Sequence, residues 1–205
     1  MRNEWYKFFR HHGLDTLEDY ADHVESTLVN ELTKIDKYIE TFETEEEKEF
    51  HVDRIYDEIA AYRDEFPEVM RTSLLISIFT YLEHELNNRC RSINKDEFKK
   101  YQTGDKGIER AKKFLKENSI DFPHQTKEWN FICDVREIRN CFAHSQGHIN
   151  EMSDKSQIKI RTAIKSLGKD LISETEATEE IQLHKNFNKK FIKNVKDFLD
   201  ILDGI

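Results

Sequence analysis

Glycine and proline are scarce in this chain, six and two among 205 residues, and cysteine occurs three times. With 37% hydrophobic and 36% charged residues and no low-complexity tract, the composition is that of a folded, charge-rich, mostly helical protein and excludes a disordered one. Cys90, Cys133 and Cys141 are odd in number and form no CxxC pair, which leaves neither a disulfide framework nor a zinc knuckle. They read as small core residues. No apolar run approaches the roughly 20 residues that a bilayer span requires. The opening "MRNEWYKFFRHH" also lacks the apolar segment and small-residue cleavage site of a secretory signal. The expectation is a cytoplasmic protein with no membrane partner.

Positive charge is scarce in the first third. Residues 1–70 carry 8 Lys and Arg against 20 Asp and Glu, a net of −12, which leaves 24 against 21, or +3, for residues 71–205. The overall −9 argues against a protein that coats DNA. An acidic helical arm on a mildly basic remainder could still hold nucleic acid in a local groove, because steering depends on the local field.

Apolar periodicity supplies most of the organisation. From Asp15 to about Phe42, Leu17, Tyr20, Val24, Leu28, Leu32, Ile35 and Ile39 recur three or four apart, the period of an amphipathic helix. Asp15 with Glu18 suits its N-terminal cap. A second helix is expected over 45–63, broken by Pro67. Leu75, Phe79, Leu82 and Leu86, with Leu74, Ile78 and Tyr81 beside them, give the next helix so broad an apolar face that it should be the central one. Residues 94–107 read as a loop or an interrupted helix, and a helix resumes over "IERAKKFLKEN". Phe131, Val135, Ile138 and Phe142 mark a further helix that Gly147 should end. A short helix over "KIRTAIKSL", a small hairpin within "DLISETEATEEIQLH" and a C-terminal helix with Phe191, Val195, Phe198 and Leu202 on one side complete the chain. The fold class is therefore all-α, with an acidic helical extension over 1–66, a helical domain over 67–205, and room for a β-hairpin before the last helix.

The segment "REIRNCFAHSQGH" carries the chemistry. At roughly 100° per residue, Arg139 falls between the directions of the core positions Ile132 and Val135. A guanidinium on the flank of a core face needs a carboxylate, a carbonyl or a phosphate. Five residues on, His144 would lie about 140° round from it on a continuous helix. The two converge only if the helix ends near Ala143 and the backbone turns. A histidine in a last turn also complements the helix dipole, and a flank arginine often bridges helices.

At Arg139, Asn140 and His144 the sequence resembles the HEPN superfamily of all-helical domains, whose active members carry Arg-x4-6-His with a polar residue, often Asn, directly after the Arg. The resemblance covers roughly 70–205: a core helix ending in "YLEHELNNRC", the later helix ending in "RNCFAH", and an amphipathic C-terminal helix. It implies a HEPN-like bundle and a metal-independent endoribonuclease without cofactor, acting in a toxin or antiviral defence system. It equally allows a non-catalytic dimeric relative that binds RNA, a nucleotide or a protein partner. In such enzymes two motifs face each other across a homodimer. The implied roles are proton transfer for His144, phosphate binding for Arg139 and orientation for Asn140. Toxins of this family that pair with nucleotidyltransferase antitoxins commonly have Tyr two residues after the His, where this chain has Gln146. An inhibitory or activating protein partner is a further expectation.

Supporting residues are suggested by position. Glu83, beside the Phe79 and Leu82 stripe, would need a partner, and Arg139 is one candidate. His148 could line the same cleft as His144. Lys189, Lys190, Lys193 and Lys196 could contact RNA phosphates, although such lysines usually keep a helix soluble. His11 and His12 lack any ligand set and read as surface residues, so no metal site is expected.

Overall fold

Helix α1 runs from Arg2 to Ile39 in the computed structural model, which describes residues 2–101, 104 and 106–204, with side chains from His11 on. It starts well before the expected cap at Asp15. Gly13 does not end it but serves packing: a Cβ there would stand 2.7 Å from the Tyr81 ring, so only glycine lets α1 approach its neighbour this closely. Leu14 is fully buried and Leu28 nearly so, with Leu17 and Val24 packed against the same core. The first helix of the expected 1–66 extension is thus anchored in the core as far as Leu28, while its C-terminal end and the two short helices after it bury no residue. Helix α2 (Glu45–Arg54), held by a Thr44–Glu47 capping box, and α3 (Tyr56–Ala60) bury no residue.

The single helix expected over 45–63 is broken at Ile55, where φ −111° and ψ 16° leave the helical region. A wide π turn, Ala61–Glu65, then leads into α4 (Phe66–Lys100). Pro67 does not interrupt this path. It sits buried in the first turn of α4, where a missing N–H costs little. Helix α4 is the central helix as expected, burying Leu74, Leu75, Ile78, Phe79, Leu82, Leu86 and Cys90. At Asn94 it kinks (φ −152°, ψ 99°), and the Asn94 side chain accepts a hydrogen bond from the Glu97 N–H, so a fresh helical segment is capped inside the long one. Of the expected loop, residues 102, 103 and 105 lie outside the described residues.

Helices α5 (Gly107–Glu117), α6 (Lys127–Ser145), α7 (Asp154–Leu167) and α8 (Phe187–Asp203) come next, with an antiparallel hairpin between α7 and α8. Strand β1 (Ile172–Glu174) pairs with β2 (Ile181–Leu183) in the register Ile172 to Leu183 and Glu174 to Ile181. Helices α4, α6 and α8 pack on one another; α1 lies on α4 and α8, α5 on α4, and α7 on α6. Phe122, Trp129 and Phe198 fill the junction at centroid separations of 4.8–5.6 Å, the spacing of edge and tilted aromatic contacts. The all-α reading with one hairpin holds. Among the described residues no helix is long and apolar enough to cross a membrane.

Candidate active site

Helix α6 is started by Thr126, whose hydroxyl accepts from the Trp129 N–H, and its face of Ile132, Val135, Ile138 and Phe142 is buried. That anchoring fixes where Arg139, Asn140 and His144 point. Arg139 stands half-buried, its guanidinium carbon 5.3 Å from the centroid of Phe79 on α4, a cation over an aromatic face. One terminal N–H donates to Asn140 Oδ1 at 3.2 Å, and the buried Nε has no hydrogen-bond partner. The contrast with Arg136, one turn earlier, is sharp: it binds Glu109 at 2.7 Å and Glu137 at 3.1 Å. Arg139 has no such carboxylate among the described residues.

Glu83 does not supply one. Its Oε1 lies at the start of α5, 2.6 Å from where a Cβ on Gly107 would stand, and not against Arg139. Gly107 has φ +56° and no side chain, and so admits the carboxylate. The expected Glu83–Arg139 pair is not formed among the described residues; the carboxylate stands at the start of α5 instead.

The helix continues through His144 to Ser145, whose hydroxyl donates back to the Cys141 carbonyl at 2.9 Å. Gln146 then takes a left-handed conformation (φ 53°), and Gly147 (φ 95°) completes the turn. A Cβ on Gly147 would stand 2.9 Å from the Phe142 ring, which is why glycine ends this helix. The end falls two residues too late for convergence. His144 remains helical and exposed, about 140° round from Arg139, so within one chain the two side chains diverge. No hydrogen bond engages the His144 imidazole among the described residues.

His148 is held elsewhere. The chain after α6 is stitched to the hairpin by Ile149 N–H to Glu179 O and Ile181 N–H to Gly147 O, and His148 Nε2 meets Glu180 Oε1 at 3.0 Å. It belongs to this junction and is not drawn to His144. The α8 lysines are largely occupied as well: Lys189 meets Asp22 at 3.1 Å, Lys193 meets Asp197 at 3.0 Å, and Lys196 meets Asp15 at 2.5 Å and Glu18 at 3.0 Å. Burial lowers the Lys196 pKa, yet the two carboxylates outweigh it and leave the ammonium above its ordinary value. Only Lys190 has no acidic partner among the described residues. His11, read as a surface residue, is half-buried with Nε2 3.0 Å from Asp200.

The cysteines offer no nucleophile. Burial pushes the Cys90 thiol up to about 11 and raises Cys133 and Cys141, so all three stay protonated near neutrality. What the helix end can do is present an uncompensated guanidinium and an exposed imidazole. Sequence reading also passed over a second cation cluster, Arg91, Lys95, Lys99 and Arg110, whose first three members show a spacing of four in "RSINKDEFKK".

The class these features define is an all-α bundle whose sixth helix ends in an Arg-Asn-x3-His motif. Compared with family models, with curated proteins and with solved structures, the chain finds no match.

Proposed function

We propose that the protein is a metal-independent endoribonuclease of the HEPN type, acting at a composite site formed by two copies of the chain. The observation that supports this reading is Arg139. A half-buried guanidinium held by Phe79 and Asn140, with no carboxylate beside it among the described residues, is poised to accept an anion, and a phosphodiester supplies one with matching bidentate geometry. The exposed His144 imidazole, one turn further on, is open to exchange protons with a bound substrate.

Because Arg139 and His144 diverge within one chain, the reaction requires a second copy. The chemistry needs two proton-transfer groups. The His144 of one copy takes the proton from the RNA 2′-hydroxyl as that oxygen bonds to phosphorus, and the His144 of the other gives a proton to the departing 5′-oxygen. Arg139 offsets the charge that builds on the phosphoryl oxygens, and Asn140 fixes the guanidinium plane. The products are a 2′,3′-cyclic phosphate and a 5′-hydroxyl. A role in a toxin or antiviral system goes with this reading by analogy. A second reading, a dimeric binding module that cleaves nothing, is favoured by the same divergence.

Purified protein assayed on RNA in EDTA separates the two. Cleavage to cyclic-phosphate ends, reduced about 10²–10⁴-fold in folded His144→Ala and strongly in Arg139→Ala, is the expected result. A folded, dimeric wild type that leaves RNA intact would move the binding module ahead.

A further inference from the structure

A groove of about 350 Å³ between the end of α4 and α5 is lined by Arg91, Lys95, Phe98, Lys99 and Arg110. Its lining holds four cations and no acid, in a protein of net charge −9. Many cations elsewhere are neutralised: Arg71 by Glu25, Arg136 by Glu109 and Glu137, Arg161 by Glu174 and Glu179, Lys189 and Lys196 by α1. Among the described residues none of the four groove cations pairs with a carboxylate.

The groove is built, not incidental. Arg110 is fixed in its wall: one terminal N–H donates to the Phe98 carbonyl at 2.7 Å, and its guanidinium carbon sits 4.5 Å from the Phe98 ring centroid. Its Nε is buried without a partner. Arg91 is steadied by Asn88 Oδ1 at 3.1 Å. The Asn94 kink re-aims the end of α4, and beyond it Lys95 and Lys99 stand one helical turn apart, about 6 Å along the axis. Phe98 is buried, so the groove offers no ring for base stacking and reads charge only.

We infer that this groove holds the phosphodiester backbone of a single-stranded RNA, as a binding surface separate from Arg139 and His144. Cations strung along two turns of helix suit a strand carrying one charge per nucleotide better than a single phosphate, on which they would have to converge. The remainder of an acidic surface repels such a strand, which confines it to the groove. This rests on the nuclease reading for its substrate, not for its geometry.

The test is fluorescence anisotropy of the full-length protein with a short fluorescein-labelled 2′-O-methyl RNA, which lacks the attacking hydroxyl and so reports binding alone. Lys95→Glu/Lys99→Glu, at two exposed positions, should weaken binding at least tenfold. It should also flatten the slope of log affinity against log salt by about 1.4, two contacts at about 0.7 each. Lys155→Glu/Lys159→Glu on α7 makes the same change in net charge and should bind as wild type does. Absence of binding by wild type, unchanged binding by the groove variant, or equal loss in the α7 control overturns the inference. So does binding that an equal concentration of inorganic phosphate abolishes. Cleavage in EDTA scores the other reading independently: a wild type that cuts without using the groove keeps the nuclease and loses the groove, and one that binds through the groove without cutting does the reverse.

Discussion

Replacing Leu14 by Ala should destabilise the whole fold, because this side chain is fully buried where α1 meets the core. Three carbons are lost, worth about 2.4 kcal/mol at about 0.8 per methylene. The residual cavity adds to that, and Leu-to-Ala changes in cores cost about 2–5 kcal/mol. About 3 kcal/mol is expected, since helices on either side can close part of the gap. With an unfolding entropy of about 2.1 cal/mol/K per residue over 205 residues, the Tm should fall by about 7 °C. Val29→Ala on the same helix, at a site 49% exposed, should cost under about 0.5 kcal/mol. Urea unfolding followed by both far- and near-ultraviolet circular dichroism measures the two. A Leu14→Ala loss below about 1 kcal/mol, or one no larger than that of Val29→Ala, would refute the placement of α1 in the core and restore it as a detachable arm.

Glu25 is buried and bonds Arg71 through both carboxylate oxygens, at 2.7 and 3.0 Å, while Arg71 also donates to the Leu183 carbonyl. Glu25→Ala should therefore cost about 3 kcal/mol, the lower end for stripping a partner from a buried charge because Arg71 keeps some water, and Glu25→Ala/Arg71→Met should recover part of it in the same urea assay. Burial, set against a hydrogen bond from Ser166 and reinforced by Glu137, raises the Asp134 carboxyl above its ordinary range. Folded protein then holds this proton more tightly than unfolded protein, so the Asp134 contribution to stability falls as pH rises from about 3.8 through the folded value. Asp134→Asn should be more stable than wild type at pH 7, with the advantage disappearing below about pH 4.

Helices with one strong apolar stripe were legible because burial follows period: α4, α6 and α8 fall where Phe79, Val135 and Phe198 place them. Trp5, Phe8 and Phe9 stand at helical spacing, but Asp15 with Glu18 imitates an N-terminal cap and masks the true start of α1. The break at Ile55 and the π turn at Ala61–Glu65 leave no mark in the pattern, since one extra residue in a turn does not change which residue types appear. Arg139 and His144 could be placed on their helix, yet their partners could not. Whether Glu83 reaches Arg139 or Gly107 depends on where α5 docks, and the contact of His148 with Glu180 depends on hairpin register. The charge asymmetry of the chain did carry tertiary information: the acids of α1 are what cover Lys189 and Lys196.

The π turn between α3 and α4 sets the aim of everything upstream of it as far as the Ile55 break. An α turn needs one residue fewer. Deleting a single residue within 61–65 would let α3 and α4 merge into a regular helix, turning α3 by about 100° and drawing it about 1.5 Å nearer. Tyr56, now exposed, would swing with it, while α1 stayed pinned by Leu14 and Leu28. One codon in this turn thus acts as an indexing notch, choosing which face α3 shows to the solvent.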